Sequence, residues 1–312
     1  MGLLVDGVWH TTWYKPDTKG RFVRPDTVFR GTVGSEAHPA EAGRYHLYVA
    51  WACPWAHRTL VARALYGLQD VVSFNSVDAF MTDQGWHFSD ADGCCPDPLF
   101  GASHLRDIYV RADSKYTGRV TVPVLWDKAA GTIVNNESKE VLRMLGTAFA
   151  GLGNGVTLIP DDLRDASDAM RDRIYEPLNN GVYRAGFARS QEAYDAAVGD
   201  VFGILDELEE ILGRTRFLCG DRMTEADVCA FTTLFRFDPV YHGHFKCNRR
   251  RIVDYPNLWG FVRDVYQTPG VAETCRLDHI TEHYYRSHET INPTRIVPVG
   301  PDLDHDAPHG RG

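Results

Sequence analysis

The sequence predicts an α/β domain followed by an all-helical one, and three observations carry that fold class. Residues 45–77 read as strand, helix and strand, a βαβ unit. Two further strand patterns and a helix between 120 and 145 extend the same layer. Beyond about residue 156, apolar positions recur at helical spacing almost throughout. The 312 residues suit two domains of ordinary size, and the content of 44% hydrophobic and 24% charged residues is that of a globular chain.

Residues 1–43 read as an irregular extension whose aromatics, among them Trp9, Trp13, Tyr14, Phe22 and Phe29, are expected to pack on the body. The α/β domain spans 44–150. Tyr45-His-Leu-Tyr-Val-Ala-Trp51 is rich enough in aromatic and β-branched residues for a strand, and it ends just before Cys53-Pro54. Leu60, Val61, Ala64, Leu65 and Leu68 then fall on one helical face that stops near Gly67. Val71–Val77 is a second strand. Residues 80–118 lose periodicity and collect Gly, Asp and Pro, so they read as a long insertion. Val120–Trp126 and Gly131–Val134 are close enough for a hairpin, Asn135-Asn136 breaks it, and Glu137–Leu145 reads as a helix.

The helical domain spans 156–290, with helical patterns at 161–178, 191–213, 225–235, 256–267 and 279–289. Thr224-Glu-Ala-Asp227 has the form of a capping box at the third of these. Residues 291–312 form a tail of Pro, Gly, His and Asp, expected to lie extended.

A net charge of −9 argues against a protein that grips nucleic acid or an anionic membrane. The run Lys246–Arg251 reads as a solvated or ion-paired loop. No stretch approaches the roughly 18 apolar residues of a membrane span. The first ten residues lack the basic-then-apolar order of a signal peptide. Asp6 stands where a myristoylation site has Ser or Thr. The expectation is a soluble cytoplasmic protein. Its seven cysteines, with no Cys-x-x-Cys pair, read as thiols rather than a disulfide framework. His242, His244 and Cys247 offer metal-ligand chemistry, but nothing near completes a set of familiar spacing, so that segment reads as a polar loop and no metal is expected.

Cys53 is different. A cysteine that closes a strand and opens a helix aims its sulfur at backbone amides, and those amides with the helix dipole favour thiolate over thiol. Pro54 suits the first helical position, where its missing N–H costs nothing. Ala56 stands where a dithiol enzyme has its second cysteine, so the site must exchange with an external thiol. His57 and Arg58 follow in the first turns and are able to add positive charge. The competing reading is an inert cysteine at a helix start. Val122-Pro123, opening the third strand, reads as a cis proline that leaves the Val122 backbone available to a peptide-like ligand. Glu137-Ser138 opens the next helix, where a hydroxyl at the amides takes a carboxylate and the acidic side chain takes an ammonium group. Both pairs also have bland readings, as an edge-strand proline and an ordinary cap.

The stretches Trp51–Arg58 (WACPWAHR), GRVTVPVLWD, IVNNES, NNGVYRAGFA, DPVYHGHFKCNRRRI and HYYRSHETINPTRIVPVGP together resemble the glutathionyl-hydroquinone reductases, the xi class of glutathione transferases. The resemblance spans nearly the whole chain. It implies a thioredoxin-like N-terminal domain joined to an all-helical C-terminal one, assembled as a homodimer. It further implies Cys53 as nucleophile and Trp86, Arg119, Val122, Glu137 and Ser138 as glutathione contacts. Arg119 suits the glycyl carboxylate, which a guanidinium holds by two hydrogen bonds. Tyr183, Tyr241 and Tyr284 match tyrosines near the family's aromatic-substrate pocket, with Tyr285 one residue away from the last. Tyr183 and Tyr284 are candidates to bind the ring hydroxyl or assist proton transfer. The implied substrate is a small-molecule quinone conjugate. The implied cosubstrate is glutathione, with another low-molecular-weight thiol open, and no metal or nucleotide. Two rival activities are a broader thiol transferase or dehydroascorbate reductase, and a non-catalytic binding protein on the same fold.

Overall fold

The computed structural model describes residues 2–12 and 14–312, so Trp13 lies outside the described residues. The chain forms two compact units, both discontinuous. The first comprises 1–13, 25–156 and 278–287; the second comprises 14–24, 157–277 and 288–312.

In the first unit, β1 (Leu3–Val5) and β2 (Val8–His10) form a hairpin with Leu4 opposite Trp9. Asp6 and Gly7 turn it, both at positive φ, as a two-residue hairpin loop requires. The extension is therefore partly sheet rather than irregular throughout. Then follow β3 (Tyr45–Val49), α1 (Pro54–Leu65), β4 (Val72–Ser76), α2 (Leu105–Ala112), β5 (Gly118–Arg119), β6 (Val124–Asp127), β7 (Thr132–Asn135) and α3 (Ser138–Thr147). The main sheet runs β4-β3-β6-β7, with β3 parallel to β4 and the other pairs antiparallel. β3 and β6 are buried at every residue, as interior strands covered on both faces must be. β5 pairs with β1, Leu3 standing opposite Arg119.

Helix α1 ends where the sequence says it should. Gly67 adopts φ +68°, its amide donates to the Ala64 carbonyl and the Leu68 amide to that of Arg63, which together close the last turn. Helix α2 corrects the reading of 80–118 as unstructured insertion. Leu105, Ile108 and Tyr109 are its buried face, at i, i+3 and i+4, and its eight residues are short enough to be lost between long loops. Buried Asp127 receives hydrogen bonds from Arg44 (2.9 and 2.7 Å) and lies 2.8 Å from the His38 ring. Burial pushes its carboxyl up, but Arg44, His38 and the amides of Ala130 and Ala129 outweigh burial and hold it well below the usual carboxylate range.

The second unit contains α4 (Arg164–Ile174), α5 (Gly181–Gly186), α6 (Gln191–Leu212), α7 (Glu225–Leu234) and α8 (Pro256–Tyr266). The Thr224–Asp227 box forms as expected. The Asp227 carboxylate accepts from the Thr224 amide (2.7 Å), the Thr224 hydroxyl (2.8 Å) and the Leu218 amide (2.8 Å). Two π-turns, Tyr175–Asn179 and Phe237–Tyr241, interrupt the helical pattern. Each carries a proline, Pro177 or Pro239, whose missing N–H breaks the ordinary ladder; the Asn180 and His242 amides reach back five residues instead. The tail is extended, yet Arg311 donates to the carbonyls of Leu212 (2.7 Å) and Thr215 (2.6 Å) at the end of α6. Helix α9 (Leu277–Ser287) returns to the first unit from Asp278 onward.

Candidate active site

Cys53 is the residue before the first helical position of α1. Its backbone is extended (φ −80°, ψ 119°), its carbonyl accepts the first helical hydrogen bond from the His57 amide (2.9 Å), and Pro54 follows at the start. The sulfur is half-buried and its thiol donates to the Val122 carbonyl at 3.8 Å. The Val122-Pro123 bond is cis, as expected. A thiol is thus brought to the backbone of the segment singled out for a peptide-like ligand.

Glu137 and Ser138 meet at the start of α3. Glu137 is half-buried and caps the helix by accepting from the Lys139 amide (3.1 Å), while the Ser138 hydroxyl is buried 3.4 Å from the Arg58 guanidinium. Arg58 therefore ties α1 to α3, and its guanidinium lies 4.4 Å from the Trp55 ring centroid. Thr27 donates to the second Glu137 oxygen at 3.5 Å. Upstream, the Asn135 side chain accepts from the Glu137 amide (2.7 Å), so the dipeptide that breaks the strand also sets the entry to the helix.

Arg119 donates from Nη1 to the carbonyls of Gly2 and Thr12, and Tyr116 donates to the Arg119 carbonyl (2.9 Å). The guanidinium is held by the N-terminal segment, a role the sequence did not announce. Trp86 is buried and stacks on His283 of α9, centroids 4.7 Å apart at 23°. His283 is 2.9 Å from the Ala79 carbonyl through Nδ1, which fixes the ring against the same loop. Tyr284 follows, 1% exposed, and Tyr285 is half-buried.

Tyr183 and Tyr241 lie in the second unit, whereas Tyr284 belongs to the first. Tyr183 and Tyr241 sit 6.1 Å apart, and Phe245 stacks on Tyr241 (5.4 Å, 10°) and meets Tyr183 edge-on. Gly186 lets the Phe245 ring lie against α5, since any Cβ there would overlap it. Phe22 of the extension packs on Phe187 at 5.5 Å, as expected of its aromatics. The His242–Cys247 segment is not the polar loop expected: His244 and Cys247 are buried, and His244 lies 3.1 Å from His288. Among the described residues no cluster of groups fit to hold a metal occurs. Arg251 pairs with Asp254 at 3.0 Å, so the basic run is an ion-paired loop.

No disulfide joins any of the seven cysteines. Burial pushes the Cys247 and Cys275 thiols up to about 12 and that of Cys219 to about 11, which keeps all three protonated near neutrality.

Residues 52–148 match the glutathione S-transferase N-terminal domain, and residues 191–264 match the glutathione S-transferase C-terminal domain. Glutathionyl-hydroquinone reductase YqjG of Escherichia coli is 53% identical, with all of this chain and 98% of that protein aligned. The chain belongs to the xi-class glutathione transferases, the glutathionyl-hydroquinone reductase family. A second member, glutathionyl-hydroquinone reductase PcpF of Sphingobium chlorophenolicum, is 51% identical over 96% of each chain. Among solved xi-class structures, that from Natrialba magadii superposes with a TM-score of 0.94 at 51% identity, covering all of this chain and 96% of its own. The glutathione-bound structure of YqjG gives 0.92 at 50% identity, covering 99% of both. The transferase fold, a thioredoxin-like unit with an all-helical one, is thus the one the sequence predicts.

Proposed function

We propose that this protein reduces S-glutathionyl-hydroquinones to hydroquinones with glutathione as cosubstrate, through a covalent adduct on Cys53. The observation that carries this reading is the Cys53 sulfur set at the start of α1 against the Val122 carbonyl, in a chain 53% identical to an enzyme of that name.

Glutathione lies extended, its cysteinyl backbone on Val122, its γ-glutamyl end on Glu137 and Ser138, and its glycyl carboxylate on Arg119, with Trp86 beside it. The ring of the conjugate takes a proton at the sulfur-bearing carbon through its keto tautomer; the resemblance offers Tyr183, Tyr241 and Tyr284 for the aromatic substrate, Tyr183 and Tyr284 as candidates to assist that transfer. The Cys53 thiolate attacks the glutathionyl sulfur. The carbon–sulfur bond breaks, its electron pair stays on the ring, and the hydroquinone leaves reduced. The sulfurs are correspondingly oxidised to a Cys53–glutathione disulfide. A second glutathione thiolate attacks that disulfide, releasing oxidised glutathione and the Cys53 thiolate. The resemblance supports a homodimer, and seven cysteines outside any disulfide support a reducing compartment such as the cytoplasm.

The test is one equivalent of glutathionyl-menadiol without added thiol, followed by intact-mass measurement. Menadiol release with one glutathione gained on Cys53 is expected. Menadiol release that occurs only once glutathione is added, with Cys53 never modified, would make free glutathione the attacking thiol. Adducts formed only from disulfides would point to a broader thiol transferase, and binding without any reaction to a non-catalytic role.

A further inference from the structure

Helix α2 carries a buried hydroxyl that joins two of the segments assigned above to glutathione. Tyr109 has no exposed surface. Its hydroxyl donates to the Thr121 carbonyl (2.8 Å) and accepts from the Thr121 amide (3.2 Å) and the Asn136 side-chain amide (3.0 Å). A phenol both donates and accepts, and here one oxygen does both between two segments, with the Thr121 hydroxyl a further 3.5 Å neighbour. Thr121 is the residue before Val122. Asn136 is the residue before Glu137-Ser138, and its other side-chain atom accepts from the Phe29 amide (3.2 Å) while its backbone amide donates to the Phe29 carbonyl (3.1 Å). Phe29 in turn packs on Tyr109 at 5.9 Å and on Tyr116 at 5.5 Å.

We infer that Tyr109 is a positioning residue that sets the spacing between the Val122 backbone and the Glu137-Ser138 helix start, so that both ends of one glutathione are met together. This rests on the glutathione contacts proposed above. The two segments come from different stretches of chain, before β6 and before α3, and a single oxygen touches the neighbour of each. Hydrogen bonds that share a buried atom move together, so loosening one loosens the other. Tyr109 itself touches no reacting atom in this scheme; it acts through Thr121 and Asn136.

The experiment is a double-mutant cycle on the full chain, pairing Tyr109→Phe with Ser138→Ala and measuring the dissociation constant for glutathione by calorimetry. Each single variant is expected to weaken binding by about tenfold, and the double variant by far less than the product, because Ser138 contributes only while its helix start is held in place. A Tyr45→Phe control removes another buried hydroxyl, one that donates to the Pro39 carbonyl at 2.7 Å, and is expected to leave glutathione affinity within about twofold of the parent. Should Tyr109→Phe not fold, Asn136→Asp takes its place in the cycle, since it removes the side-chain donor to Tyr109 at nearly constant shape. Independent effects that multiply within about twofold overturn the positioning role and leave the glutathione site standing. An unchanged affinity in Ser138→Ala alone overturns the glutathione site itself.

Discussion

Helices α1 and α7 begin in opposite ways. At α7, Thr224 and Asp227 close the start with their own side chains, and the whole first turn is buried. At α1, a cysteine stands where α7 has its threonine, proline follows, and the sulfur remains half-buried beside the Val122 carbonyl. A start satisfied by its own oxygens anchors a fold. A start headed by a thiol keeps that sulfur at the end of the helix where negative charge is favoured, as the proposed nucleophile requires. On the function proposed above, the two termini divide stability from chemistry.

The sharpest break between them is expected from Cys53→Ser, which should cut reductase turnover on the order of a thousandfold or more, oxygen being a poor partner in thiol–disulfide exchange. The thermal midpoint should stay within about two degrees of the parent. Wild-type turnover in that variant would remove Cys53 from the mechanism. The mirror image is Asp227→Ala, which strands the Leu218 and Thr224 amides and should cost about 3 kcal/mol in denaturant unfolding. Turnover per folded molecule should be unchanged; a selective loss of turnover would mean that α7 takes part in the chemistry after all.

The smallest effect concerns Asp127, the capped carboxylate at the end of β6. A carboxyl held below its unfolded value of 3.8 contributes stability above that value and loses it as pH falls toward its folded one. Acid unfolding of the parent should therefore steepen between about pH 4 and 2, and Asp127→Asn should flatten that limb of the stability curve. An identical slope in the two proteins would leave the ion pair with Arg44 without a role in acid sensitivity.

What the sequence makes legible is what it encodes locally. Cys53-Pro54, Val122-Pro123 and Glu137-Ser138 each sit where a strand or a helix begins, so neighbouring residues suffice to read them. Tyr109 was not legible in the same way, because its importance lies in partners 12 and 27 residues onward. A signal for its helix was present in the spacing of Leu105, Ile108 and Tyr109. Asp6-Gly7 likewise announced a hairpin, but three-residue strands give alternation too little length to register. The link from Arg119 to Gly2 and Thr12, and the stack of Trp86 on His283, join positions too distant for any pattern to show.

The discontinuity of the first unit has a consequence for how the protein is made. Ser287 accepts from the Met81 amide at 2.9 Å, and His283 supports Trp86, so the wall around that loop waits for a helix translated long after α3. The end of α6 waits longer still, for Arg311. During synthesis, therefore, neither unit meets its last contacts as its own segment emerges from the ribosome. The α/β layer gains its α9 contacts only once that helix has been made, and the end of α6 its contacts with Arg311 only after that.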